Sequence, residues 1–238
     1  MRKIKITLLG HGLFMDTIRD AIKKNFTIIK KNPDLYLVAN YGRKISKQEL
    51  DKNTYINVHP SLLPKLKGAT PIQTAILQGD KITGFTIITM DEHIDHGKII
   101  SAGKINIAQG DDYDTLAKKI ALVSANNLIK IIPKFINNEI KLRSQDELKT
   151  SWTKKISDQD RLISPGELKK NPHQACARVR ALYPKPKAYL MLNNKRLLIH
   201  KAKIENARFV PLFVQIEGKK IMPWQDFIRG WHGKNIFD

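Results

Sequence analysis

Residues 34–40, Asp-Leu-Tyr-Leu-Val-Ala-Asn, run without the polar alternation of a half-exposed strand. A short, continuous apolar run of this kind is what a strand looks like when both its faces are buried in a parallel sheet. The flanking pattern agrees. Lys3 to Leu9 reads as a strand, Gly10-His11-Gly12 as a tight turn, and Phe14 to Lys24 as an amphipathic helix with Phe14, Ile18 and Ile22 at helical spacing. That is a βα opening. Phe26 to Ile29 reads as a short second strand, and Tyr55 to Val58 as another. Thr70-Pro71 caps and opens a helix to about Gln78, which Gly79-Asp80 ends. Gly84 to Met90 alternates β-branched residues, Ile99 to Ile107 reads as its neighbour, and Asp111, Asp112 and Asp114 place acids at the positive end of a long helix running to about Asn137.

From Ser144 to Asp160 the apolar periodicity lapses. The chain is therefore expected to divide into a domain at 1–143, a linker at 144–160 and a second domain at 161–238. The last carries a helix from about Pro172 to Leu182, then strands at Ala188 to Leu192, Arg196 to Lys203 and Phe209 to Ile216, with Asn193-Asn194 and Gly218 as turn signals. This is a small β-rich domain, expected to close as a barrel.

The formal charge is +20, and residues 151–238 hold 18 lysines and arginines against 7 acids, so this shorter part carries +11 of it. Such a surface points to a polyanionic partner, with nucleic acid ahead of membrane because no amphipathic basic helix stands out. No run approaches the ~20 apolar residues of a membrane helix. The N-terminus has the charge of a signal peptide's start, but its apolar stretch is short and no small-residue cleavage site follows. A cytoplasmic, monomeric protein is the expectation. The single cysteine, Cys176, reads as a small apolar residue on a helix.

Chemistry concentrates in Asn57-Val58-His59-Pro60-Ser61-Leu62-Leu63-Pro64 and, some thirty residues on, Asp91-Glu92-His93-Ile94-Asp95-His96-Gly97. An Asn and a His two apart on an extended segment point to the same side, and Pro60 and Pro64 keep the following residues in a loop. An aspartate from the second loop completes an amide, an imidazole and a carboxylate, the parts of a proton-transfer set. Asp91 competes with Asp95 for that place. His93 and His96 with Asp91, Glu92 and Asp95 match no standard zinc spacing, so no metal is expected. Gly10-His11-Gly12 begins like a dinucleotide fingerprint, but Met15 stands at the third glycine position. Lys65, Lys67 and the three tryptophans read by default as solvated and core residues.

The stretch NVHPSLLPKLKGATPIQTAILQGD, followed by TGFTIITMDEHIDHGKII, resembles the folate-dependent formyltransferases, most closely the branch acting on methionyl-tRNA. Ser151 to Ile156 is similar to that branch's linker signature, and Val214 to Trp224 to the close of its C-terminal barrel. The resemblance implies a Rossmann-like formyltransferase domain with a mainly parallel sheet, followed by a small OB-like β-barrel. It implies 10-formyltetrahydrofolate as formyl donor and the amino group of initiator methionyl-tRNA, bound near its acceptor end, as acceptor. By the same carry-over, Asn57, His59 and Asp95 fall on catalytic positions, Ser61, Leu62, Leu63 and Pro64 on the folate-binding loop, and Tyr41 and Gly42 on the wall of the pterin pocket. Two departures stand out: the stretch between the first helix and the strand at 34–40 is shorter than in the family, and Arg43-Lys44-Ile45-Ser46 replaces apolar residues and proline. Formyl transfer passes through a tetrahedral oxyanion, so the site needs a donor to that oxygen and a route for one proton; Asn57 and His59 supply donors and Asp95 the proton relay. The competing readings are the same chemistry on an amino sugar nucleotide, and a non-catalytic RNA-binding relative.

Overall fold

The structure, a computed structural model, describes residues 2–231. Two compact units divide the chain: the first takes the chain through Pro71, Lys81–Ile107 and Thr115–Lys154, and the second Ile72–Asp80, Ala108–Asp114 and the chain from Lys155 onward.

In the first unit, β1 (Lys5–Leu9), β2 (Thr27–Ile28), β3 (Leu35–Val38), β4 (Tyr55–His59), β5 (Ile82–Thr89) and β6 (Ile99–Asn106) form one sheet in the order β2-β1-β3-β4-β5-β6. The ladders joining β1 to β4 are parallel, and β5 and β6 add antiparallel strands at one side. Leu35, Leu37, Val38 and Ala39 are buried, as an apolar run inside a parallel sheet must be. The helix α1 (Gly12–Ile22) turns Phe14, Met15, Ile18 and Ile22 inward, each worth about 1.5–3 kcal/mol when fully buried. Gly10, between β1 and α1, has φ +141°, and a Cβ there would lie 1.8 Å from the Ala39 carbonyl oxygen. The glycine-rich turn is thus explained by close approach of two strand ends.

The helix α2 (Lys47–Lys52) buries no residue and so leaves no periodic signal; a capping box holds it, with Ser46 Oγ accepting the Glu49 N–H and the Glu49 carboxylate accepting the Ser46 N–H. From Ile72 on, α3 (Pro71–Gln78) counts with the second unit. The long helix α4 (Tyr113–Ile136) counts from Thr115 with the first, and buries Leu116, Ile120, Ser124, Leu128 and Ile132 along one stripe.

The second unit contains α5 (Asp158–Arg161), α6 (Pro165–Lys170), α7 (Pro172–Leu182), β7 (Ala188–Leu192), β8 (Lys195–Glu205), β9 (Arg208–Ile216), β10 (Met222–Pro223) and α8 (Trp224–Arg229). Its four strands form an antiparallel sheet in the order β10-β9-β8-β7, with a parallel bridge from Leu162 to Tyr189. Asn193 and Asn194 take positive φ, 46° and 58°, in the β7–β8 hairpin, as a two-residue primed turn requires. Val179 and Leu182 of α7 pack with Leu190, Leu197, Ile199 and Val214, and Trp224 and Trp231 sit against that core. Cys176 is buried on α7, its Sγ 3.5 Å from the Ala202 carbonyl. No helix among the described residues is long and apolar enough to cross a membrane.

Candidate active site

The strand β4 places Asn57 and His59 through ordinary alternation. Asn57 lies in register with Val38 on one side and Ile88 on the other, and His59 with Thr86. Both residues reach the same partner: Asn57 Nδ2 donates to Asp95 Oδ1 at 3.3 Å, and His59 Nδ1 is 3.4 Å from that oxygen. The other Asp95 oxygen accepts the Gly68 N–H at 2.8 Å. His59 Nε2 lies 2.9 Å from the Leu66 carbonyl. Both imidazole neighbours are therefore acceptors.

Asp95 is held ionised. Burial pushes its carboxyl upward, but the hydrogen bond and charge of His59, the Gly68 N–H and the charge of Lys67 outweigh it, and the net displacement is below the ordinary carboxylate value. At neutral pH the residue therefore carries no proton to give.

The loop after β4 is fixed from several sides. Ser61 Oγ donates to the Lys65 carbonyl at 2.6 Å, and Thr86 Oγ1 donates to the Ser61 carbonyl while accepting the Leu63 N–H. Leu63 is buried against Ile88 and Ile99, and Leu62 and Pro64 are half-buried. Tyr41 and Gly42 leave the sheet just past β3; Tyr41 packs with Val38, Ile45 and Tyr55, and Gly42 is exposed with open space at its Cβ position.

Residues 144–160, expected from the sequence to link two domains, divide at Lys154 between the two units. The first part holds the site loop. Ser151 accepts the Lys67 N–H through its carbonyl and the Leu66 N–H through Oγ, and Thr153 N–H donates back to the Lys67 carbonyl. Gln145 Nε2 donates to the carbonyls of Asp95 and Gly97. Lys67 is only 2% exposed; its ammonium meets both Glu147 oxygens at 3.0 Å and lies under the Trp152 ring. It is not the solvated lysine that its residue type suggests. Residue type and spacing at 145–153 do not announce these supports, although Ser151-Trp152-Thr153 lies in the stretch that resembles the family's linker signature.

Asp91, His93 and His96 also come together, with ligand atoms all within 4.8 Å of one another, and all three are exposed. Hydrogen bonding accounts for the cluster: Asp91 accepts the His93 N–H at 2.9 Å and lies 2.7 Å from His96 Nδ1.

Two family profiles match the chain: "Formyl transferase" over residues 16–132 and "Formyl transferase, C-terminal domain" over 155–213. The methionyl-tRNA formyltransferase of Ehrlichia ruminantium (strain Gardel) is 34% identical over 253 aligned residues, covering 94% of this chain and 80% of that protein. Among solved structures, the methionyl-tRNA formyltransferase from Clostridium thermocellum superposes with a TM-score of 0.70 at 19% identity, over 90% of this chain and 98% of that one. HypX from Aquifex aeolicus, solved in complex with tetrahydrofolic acid, gives 0.79 at 13% identity over 99% of this chain. The chain spans about half the length of HypX, 50%. At these identities the two superpositions establish the fold alone.

Proposed function

The chain belongs to the formyl transferase family, and we propose that it transfers a formyl group from 10-formyltetrahydrofolate to the amino group of methionyl initiator tRNA, through a tetrahedral intermediate. The observation that carries this reading is the convergence of Asn57 and His59, both on β4, on one carboxylate oxygen of Asp95, which arrives from the loop after β5. The acceptor is supported by the relative's name and by the excess of lysine and arginine in residues 151–238, which suits the phosphates of an RNA acceptor end better than a small substrate.

In this reading the folate, when bound, supplies a formyl carbon attached to an anilino nitrogen. A bond forms between that carbon and the methionyl amine nitrogen, the bond to the anilino nitrogen breaks, and the proton lost by the amine ends on the departing nitrogen. One N–H of Asn57 rests on Asp95; the second donates to the formyl oxygen as it gains negative charge. His59 joins it by exchanging the Leu66 carbonyl for the same oxygen. Asp95, held ionised, accepts the amine proton and passes it on. Ser61, Leu62, Leu63 and Pro64, with Tyr41 and Gly42, hold the folate. The second unit holds the tRNA.

The test is formyl transfer by the purified protein from 10-formyltetrahydrofolate, with charged initiator tRNA and a panel of amino sugar nucleotides as alternative acceptors. Product on the tRNA is expected. Product on a sugar alone would overturn the acceptor, and silence on both would overturn the activity.

A further inference from the structure

Asp95 reaches His59 and Asn57 from a backbone turn that few residues other than glycine, asparagine and aspartate adopt. Its φ is +51°, in the left-handed region. Two residues on, Gly97 is pressed so closely against the end of β5 that a Cβ would lie 1.8 Å from the Thr89 carbonyl oxygen. On its other side the turn is closed by one side chain: Gln145 Nε2 donates to the Asp95 carbonyl and to the Gly97 carbonyl, each at 2.9 Å, bracketing His96. The amide orientation is dictated by these partners, because a flipped group would set its oxygen against two carbonyls. Gln145 Oε1 is itself buried with no partner among the described residues, so the side chain acts here as a donor only.

The same segment reaches the opposite wall. Glu147 neutralises the buried Lys67, and Ser151 Oγ accepts the Leu66 N–H at 2.9 Å, while the Leu66 carbonyl is the acceptor for His59 Nε2. Residues 145–151 therefore fix both ends of the Asp95–His59 contact without belonging to it.

We propose that Gln145 is a positioning residue for formyl transfer: its two donated hydrogen bonds set where the Asp95 carboxylate stands relative to Asn57 and His59. This rests on the function proposed above. Its effect falls on the chemical step, because it governs groups that serve the developing charge and the moving proton, and leaves the folate loop at 61–64 untouched.

The experiment compares wild type with Gln145→Glu, which keeps the shape and loses both donors, and Gln145→Met, which removes the polar group should the first variant fail to fold. Steady-state formyl transfer is measured alongside the NMR signals of the His59 ring, assigned with a His59→Asn variant. A fall in kcat of ~10–100-fold is expected, with KM for either substrate within about threefold, since displacing a reacting group by an ångström costs that much in rate. The His59 signals should move while those of His173 and His200 stay. Unmoved His59 signals, a retained kcat, or a loss carried in KM would each overturn the proposal. Should the wild type itself formylate no charged tRNA, that result refutes the functional reading, and the His59 signals alone decide the role of Gln145.

Discussion

Asp91 and Asp95 stand on the same loop and each has a histidine partner, yet the shorter contact is the one at the surface. Asp91 Oδ2 is 2.7 Å from His96 Nδ1 with the side chains 40% and 48% exposed; Asp95 Oδ1 is 3.4 Å from His59 Nδ1 with 10% and 5%. Distance therefore does not single out the pair proposed to serve formyl transfer. What separates them is the number of independent elements that converge. Asp95 draws on β4 through Asn57 and His59, on the loop at Gly68, and on Gln145 for its backbone. Among the described residues, Asp91 draws only on two histidines of its own loop. An exposed pair is worth about 0–1 kcal/mol and is screened by salt, whereas a buried carboxylate stripped of its partner is left uncompensated.

The sharpest way to break the comparison is to remove the shared donor. Asn57→Ala should lower kcat by ~100-fold or more, the usual cost of losing one donor to a developing oxyanion. Steady-state formyl transfer measures it. A variant with full activity would mean that the buried cluster is structural and that the contrast with Asp91 carries no functional content.

A smaller effect is expected from the turn between the two pairs. In Gly97→Ala the new methyl group would meet the Thr89 carbonyl oxygen at 1.8 Å, backbone against side chain, so the loop must shift. Overpacking of this sort costs roughly 1–3 kcal/mol of stability. Urea denaturation would read the loss, and formyl transfer should fall with it because Asp95 moves. An unchanged unfolding midpoint would show that the loop yields freely, which would weaken the claim that Asp95 is fixed while Asp91 is not.

Which parts of this arrangement could be read from the sequence follows from how each is built. The strand at 35–38 and the helix at 12–22 repeat their environment along the chain, so composition and spacing reveal them. Asn57 and His59 share a face by strand alternation, which is equally local. The helices α2, α5 and α6 are four to six residues long, too short for a periodic stripe, and stand on N-caps at Ser46, Ser157 and Ser164. The supports of the site are of a third kind. Gln145 works through contacts to residues 48 and 50 positions away and Glu147 through Lys67, 80 positions away, and the Leu66 carbonyl is a group that every residue owns. Polar residues that act on partners far along the chain look like a linker. Lys67 shows the same limit from the other side: nothing in its neighbourhood announces burial, which depends on Glu147 and Trp152 arriving from far along the chain.

The smallest expected difference between the two aspartates lies in their acid titration. Both carboxyls sit below the ordinary value of 3.8. For Asp91, burial raises the carboxyl, and the hydrogen bonds from His96 and the His93 N–H, with the charges of both rings, outweigh it. A carboxyl whose folded value is depressed stabilises the fold fully above its unfolded value, and that contribution disappears as pH falls through the folded value. Wild type should therefore lose stability faster than Asp95→Asn as pH drops below about 4. Asp91→Asn should change the same slope by no more than a few tenths of a kcal/mol, because solvent already screens the pair. Its formyl transfer should stay within about twofold of wild type, as for surface substitutions generally. Chemical denaturation at pH 6 and pH 3 would decide it. Equal slopes for the two variants would mean that burial of Asp95 adds nothing to its coupling with His59, and that two pairs so differently built are electrostatically the same.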